Sequence, residues 1–117
     1  MSLAVHTEQR GDVTVVSVAG DLDVATAPML ETRLSELLDQ GACRLVLDLA
    51  DVSFCDSAGL SLFVRAREHC RDAGGRLQLA APARTVRRVL EVSGLAGVLE
   101  ISPTVDAAVA AGRHSGE

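Results

Sequence analysis

The run Leu45-Val46-Leu47-Asp48-Leu49 constrains the fold of this chain more than any other segment. Apart from Asp48 it is apolar on both strand faces, the pattern of a central strand covered above and below. Shortly after it, residues 60–73 switch to a helical period. Gly59, Leu62, Phe63, Ala66 and Cys70 line one side, with Arg65, Arg67, Glu68 and Arg71 largely elsewhere. A two-sided strand feeding a one-sided helix is the unit of a parallel sheet with helical cover and right-handed crossovers.

The flanking segments extend this unit. Residues 3–8 and 13–19 read as strands, and the polar turn Gln9-Arg10-Gly11-Asp12 between them implies an antiparallel hairpin. Gly20-Asp21-Leu22-Asp23 then breaks the second strand. A helix follows to about Gln40, with Thr26 as N-cap, Pro28 in its first turn and Gly41 as its stop. Leu30, Leu34, Leu37 and Leu38 fall on one face of it.

Residues 44–49 form the third strand, Ser57 starts the second helix and Gly74-Gly75 ends it. Residues 76–80 are a fourth strand. Pro82 opens a third helix over 83–92, striped by Val86, Val89 and Leu90 and closed by Gly94. A short strand at 98–101 and a weak Ala-rich helix at 104–111, started by Ser102-Pro103, complete the order. The expected class is α/β: a mixed, mostly parallel sheet of four to five strands with about four α-helices. Residues 1–111 are expected to form one domain and 112–117 a disordered tail.

Composition narrows the function. The chain of 117 residues has a formal net charge of -5, two Phe, no Trp and no Tyr. The acidic balance argues against nucleic acid or an anionic membrane as main partner, and base stacking on aromatic side chains is disfavoured. Arg84, Arg87 and Arg88 share a helix surface, for which a solvated face is the default reading. Cys43, Cys55 and Cys70 are odd in number and lack C-x-x-C spacing, so reduced thiols in a cytoplasmic protein are expected. The N-terminus does not read as a signal peptide, and no apolar run approaches the roughly 20 residues of a bilayer span. His6, His69 and His114 are scattered and give no metal-ligand spacing.

The chemistry-bearing stretch is Val52-Ser53-Phe54-Cys55-Asp56-Ser57-Ala58-Gly59-Leu60, where a strand hands over to a helix. Ser57 reads as a helix N-cap, and also as a hydroxyl open to phosphorylation, since a helix start tolerates a negative group. Asp21 and Asp23 are placed on one β-to-α loop and Asp56 on the next, the edge of a parallel sheet where ligands bind. Turn and capping roles are their default. No histidine lies in these loops, and no phosphate-binding glycine loop with lysine is present, which disfavours acid–base catalysis and a magnesium site. Asp48 is expected to bond neighbouring loop N–H groups, and Cys55 to be a buried small hydrophobe.

Three segments together resemble STAS domains. They are Gly20-Asp21-Leu22-Asp23 with Thr26-Ala27, then Val46-Leu47-Asp48-Leu49 through Asp56-Ser57-Ala58-Gly59-Leu60, then Ser93-Gly94-Leu95. The resemblance spans about residues 3–111 and is greatest to stand-alone anti-sigma factor antagonists. It implies a non-enzymatic domain, without cofactor or metal, that binds a serine-kinase anti-sigma factor of histidine-kinase-like ATPase fold and so releases a sigma factor. Phosphorylation of Ser57 would end binding and a PP2C-type phosphatase would restore it. Carried over, Asp21, Asp23, Thr26, Asp56, Ser57, Ala58, Gly59 and Leu60 would face the partner. Where many relatives have a second serine, this chain has Ala58. A monomer is the default for such a domain. The alternatives are an unphosphorylated STAS adaptor subunit of a transporter or other signalling complex, and a small phosphate- or nucleotide-handling enzyme using the aspartates.

Overall fold

A computed structural model describes residues 3–113. β1 (Leu3–Arg10) and β2 (Val13–Leu22) form the expected antiparallel hairpin. There follow α1 (Ala27–Asp39), β3 (Arg44–Cys55), α2 (Ser57–Asp72), β4 (Arg76–Ala80), α3 (Arg84–Val92), a 3-10 turn (Leu95–Gly97), β5 (Ile101–Ser102) and α4 (Val105–Arg113). The strands make one sheet in the order β1-β2-β3-β4-β5, parallel from β2 onward.

β3 is central, and its Leu45, Leu47 and Leu49 are buried against one face of helices. That face is supplied by Leu30 and Leu34 of α1, Leu62, Phe63 and Cys70 of α2, and Val86 and Leu90 of α3. α4 covers part of the other face, where Ala108 and Val109 meet Val13, Val15, Val46 and Ala80. Each fully buried Leu or Phe here contributes about 1.5–3 kcal/mol of transfer free energy, the main favourable term in the fold. Where α2 returns to β4, Gly75 passes so close to the preceding loop that a β-carbon would lie 2.0 Å from the Cys43 carbonyl oxygen. Only glycine fits that approach.

Several boundaries differ from the sequence reading. β2 does not break at Gly20: it continues through Leu22, with Asp21 paired to Phe54 and Leu22 to Cys55. β3 correspondingly runs to Cys55 rather than stopping at Leu49. Register shifts between Ser17 and Ala19 and between Gly20 and Asp21 keep the two extended strands in pairing. The last strand is Ile101–Ser102, not 98–101, because Leu95–Gly97 coils into a 3-10 turn and Leu99 N–H bonds back to the Leu95 carbonyl.

Since Ser102 is in β5, it does not cap α4; Thr104 Oγ1 does, accepting the Ala107 N–H at 3.1 Å. α4 also runs on through Gly112 and Arg113, which the sequence reading gave to the tail. Arg76 donates to the Ala111 carbonyl at 2.7 Å and pairs with Glu100, fastening this end of the helix to the sheet. The rest of the expected tail, with His114, lies outside the described residues.

Candidate functional site

The extension of β2 and β3 brings the two motif segments side by side at the carboxyl edge of the sheet. Asp56 N–H donates to the Leu22 carbonyl at 3.1 Å, and Ser53 Oγ donates to Asp21 Oδ1 at 3.1 Å. Asp21 thus sits at a strand end, not on the loop expected for it. Asp23 is in the β2–α1 loop, where its carboxylate accepts the N–H groups of Ala25 and Thr26 at 3.0 and 3.1 Å. Thr26 occupies the N-cap position of α1, but its hydroxyl makes no cap bond to the helix. Instead it donates to the Asp21 carbonyl at 2.7 Å and accepts from Asp23 N–H at 3.0 Å, locking the loop to the strand.

The cap of α2 is Asp56, not Ser57. Asp56 is extended (φ -102°, ψ -168°), and its Oδ1 accepts the Ala58 and Gly59 N–H groups at 2.8 and 3.3 Å. A carboxylate at a helix N-terminus satisfies two otherwise unpaired donors and complements the helix dipole. Ser57 is therefore the first helical residue. It is exposed, and among the described residues its hydroxyl makes no hydrogen bond. Ala58 and Leu60 are half-buried and pack on the core, while Gly59 is buried against Leu22 and Cys55.

Ser57 stands at the rim of an open groove of about 520 Å³ lined with Leu60, Ser61, Val64, Arg65 and Leu95. Arg65 forms a two-pronged pair with Glu31 of α1, at 3.0 and 3.1 Å, which draws the Glu31 carboxyl below its ordinary range. Around the same edge, Val24 (75 % exposed) and Phe54 (51 % exposed) present apolar surface to solvent. The sequence reading gave no site role to Val24, Phe54, Ser61, Val64, Arg65 or Leu95, although Phe54 and Leu95 fall within its motif segments. Strand alternation would place Phe54 on the face of buried Val52 and so gave no signal for its exposure; for the groove there was none either, because it joins α2 to the turn after α3.

The other candidates separate from this site. Asp48 is half-buried and accepts the Ala50 N–H at 3.1 Å, with Ser17 Oγ at 3.5 Å, a local bonding role made to strand residues of β3 and β2 rather than to the loop N–H groups expected. Cys55 is buried, and burial followed by the neighbouring Asp56 carboxylate pushes its thiol up to about 11, so it is a protonated packing group at neutral pH. Asp21, Asp23 and Asp56 are each engaged locally, and no three His, Cys, Asp or Glu side chains among the described residues gather to hold a metal ion. No helix among those residues is long and apolar enough to cross a membrane. What this edge offers is an exposed, partly apolar surface on which the Ser57 and Ser61 hydroxyls both face the groove.

The chain matches the STAS domain over residues 4–108. It is 35 % identical over 102 residues to the anti-sigma-B factor antagonist of Bacillus subtilis (strain 168), covering 87 % of this chain and 93 % of the relative. The crystal structure of an anti-sigma factor antagonist from Mycobacterium paratuberculosis superposes with a TM-score of 0.86 at 31 % identity, covering 95 % of this chain and 94 % of that one. The anti-sigma factor antagonist SpoIIAA has been solved in both states. Its unphosphorylated form gives a TM-score of 0.80 at 26 % identity, covering 94 % of this chain and 96 % of that one. The phosphorylated form, from Bacillus, gives 0.71 at 27 %, covering 92 % and 97 %.

Proposed function

This chain belongs to the STAS domain family, and from that premise we propose that it is an anti-sigma factor antagonist switched off by phosphorylation of Ser57. Unmodified, it binds a serine-kinase anti-sigma factor and so releases the sigma factor that kinase holds. The observation that carries this reading is the division of labour between Asp56 and Ser57. Asp56 caps α2, which leaves Ser57 exposed at the groove rim with its hydroxyl unengaged. The names of the relatives support the same reading, as does the existence of a phosphorylated SpoIIAA.

In the unmodified state a partner seated on the groove covers Leu60, Val64 and Leu95, with Val24 and Phe54 as further apolar contacts. The kinase then transfers the γ-phosphoryl group of ATP: the Ser57 Oγ–P bond forms, the bond to ADP breaks, and the hydroxyl proton leaves to the kinase or solvent. The product carries about -1.5 to -2 charges at neutral pH. Helix N-terminal amides would ordinarily soften such a charge, but those of Ala58 and Gly59 are already taken by Asp56. The phosphate therefore stays outward beside a carboxylate, and a partner that accepted a neutral serine meets repulsion and a desolvation cost. A PP2C-type phosphatase reverses the change. The chain works by binding, in the cytoplasm, and needs no cofactor.

The test is intact-mass spectrometry after incubation with candidate serine-kinase anti-sigma factors and ATP, with Ser57→Ala in parallel. One phosphate on the wild type and none on the variant is expected. Stable binding without modification would overturn the switch and favour a constitutive adaptor.

A further inference from the structure

α3 carries Arg84, Arg87 and Arg88 on its exposed surface, in a chain whose net charge is -5. The ion pairs among the described residues engage Arg10, Arg44, Arg65 and Arg76, each on another element. The three α3 arginines make none. Glu91, one turn away on the same helix, lies within ion-pair distance of neither Arg87 nor Arg88. A solvated basic face accounts for this composition, but not for its position.

That position is continuous with the Ser57 surface at both ends. At the start of α3, Thr85 Oγ1 donates to the Ser53 carbonyl at 3.4 Å, and Ser53 in turn holds Asp21. Beyond its end, Leu95 lines the groove whose rim is Ser57. Thr85, Arg88 and Val92 follow one another at i, i+3 and i+7, a single stripe along the helix. Its last member, Val92, is 78 % exposed. The α2 start is therefore flanked by acidic Asp21 and Asp23 on the α1 side and by an arginine-bearing face with an exposed valine on the α3 side.

We propose that the exposed face of α3 is a second contact of the same interface and docks an acidic segment of the serine-kinase anti-sigma factor. The proposal rests on the reading of the chain as an antagonist of such a kinase. Guanidinium groups with no partner of their own suit carboxylates, which they bind through parallel donors. The opposite charges on the two flanks fix the orientation in which the partner approaches, and exposed rim charges act mainly on association rate. Affinity for the neutral Ser57 groove and orientation by α3 are then separate contributions. Phosphorylation removes the first without touching the second.

The experiment measures association and dissociation rates between the kinase that modifies Ser57 and three forms of this chain: wild type, Ser57→Asp, and the double variant Arg84→Glu with Arg88→Glu. At about 50 mM salt the double reversal should slow association about tenfold or more, and the difference should shrink at about 500 mM, where screening is nearly complete. Dissociation should change little. Arg84→Lys with Arg88→Lys should restore most of the rate, and far-ultraviolet circular dichroism verifies that each variant is folded. Unchanged association at both salts, with Ser57→Asp still binding poorly, would overturn the α3 contact and leave the antagonist reading standing. Tight binding by Ser57→Asp would instead remove the switch on which the proposal rests. Duplex DNA bound by the wild type and released by the double reversal would assign the face to nucleic acid and overturn the proposal.

Discussion

A β-carbon on Gly59 would lie 2.6 Å from Cys55 Sγ, with the Leu22 side chain at 3.0 Å. The helix that presents Ser57 is thus seated directly on the last residues of β2 and β3, and position 59 cannot take a larger residue without something moving. Gly59→Ala should destabilise the protein by about 1–3 kcal/mol, since overpacking outweighs the roughly 1 kcal/mol gained in helix propensity. Urea unfolding measures this. Adding Cys55→Ala should recover part of the loss, and a purely additive double variant would show that the two side chains do not meet.

Stability and switching should separate between adjacent residues. Asp56→Ala removes the acceptor for the Ala58 and Gly59 N–H groups and should cost about 1 kcal/mol, within the usual range for an N-cap. Ser57→Ala should stay within about 0.5 kcal/mol of wild type, as for a surface position away from special features. Denaturation midpoints decide the matter; equal losses in the two variants would return the capping role to Ser57.

A charge at position 57 should act on binding rather than on the fold. Ser57→Asp should unfold at nearly the wild-type temperature, yet bind the serine-kinase anti-sigma factor at least about tenfold more weakly, a difference of about 1.4 kcal/mol. Ser57→Ala should bind as wild type and resist inactivation by ATP. Calorimetric titration reads both, and wild-type affinity in Ser57→Asp would defeat exclusion by charge.

The buried thiols should set an alkaline limit. Burial raises Cys55 to about 11, with a contribution from Asp56, and Cys70 to about 12, with one from Cys43. Both lie above the unfolded value of about 8.5, so the unfolded chain loses its thiol protons first. Stability is then fully present below about pH 8.5 and falls as pH rises toward 11 to 12, by up to about 1.4 kcal/mol per pH unit per thiol. Urea midpoints between pH 8 and 10.5 would show the slope. In native protein at pH 8 a thiol reagent should modify half-exposed Cys43 well before Cys55 or Cys70, and all three once denaturant is added.

The helices were readable because their evidence is local. The buried set of α2, Gly59, Leu62, Phe63, Ala66 and Cys70, is the set its periodicity names, and Leu30 and Leu34 anchor α1 as their spacing implies. The hairpin followed from one short turn. The ends of β2 and β3 were not readable in the same way. Asp21, Ser53 and Phe54 carry no apolar alternation, and they are extended because the two strands pair with each other across thirty-odd residues of chain. α4, a weak helix by composition, is held by Val13, Val15 and Val46 beneath it.

Sequence alone determined the class of fold, the order of elements, the family resemblance and the serine on which the proposed switch turns, since each rests on periodicity or on a contiguous motif. Tertiary structure decided which residue caps α2, how far β2 and β3 extend, which side chains line the groove beside Ser57, and that an arginine face adjoins it. Those depend on where segments distant in the chain come to rest, and packing and hydrogen-bond competition settle that only once the whole sheet has assembled.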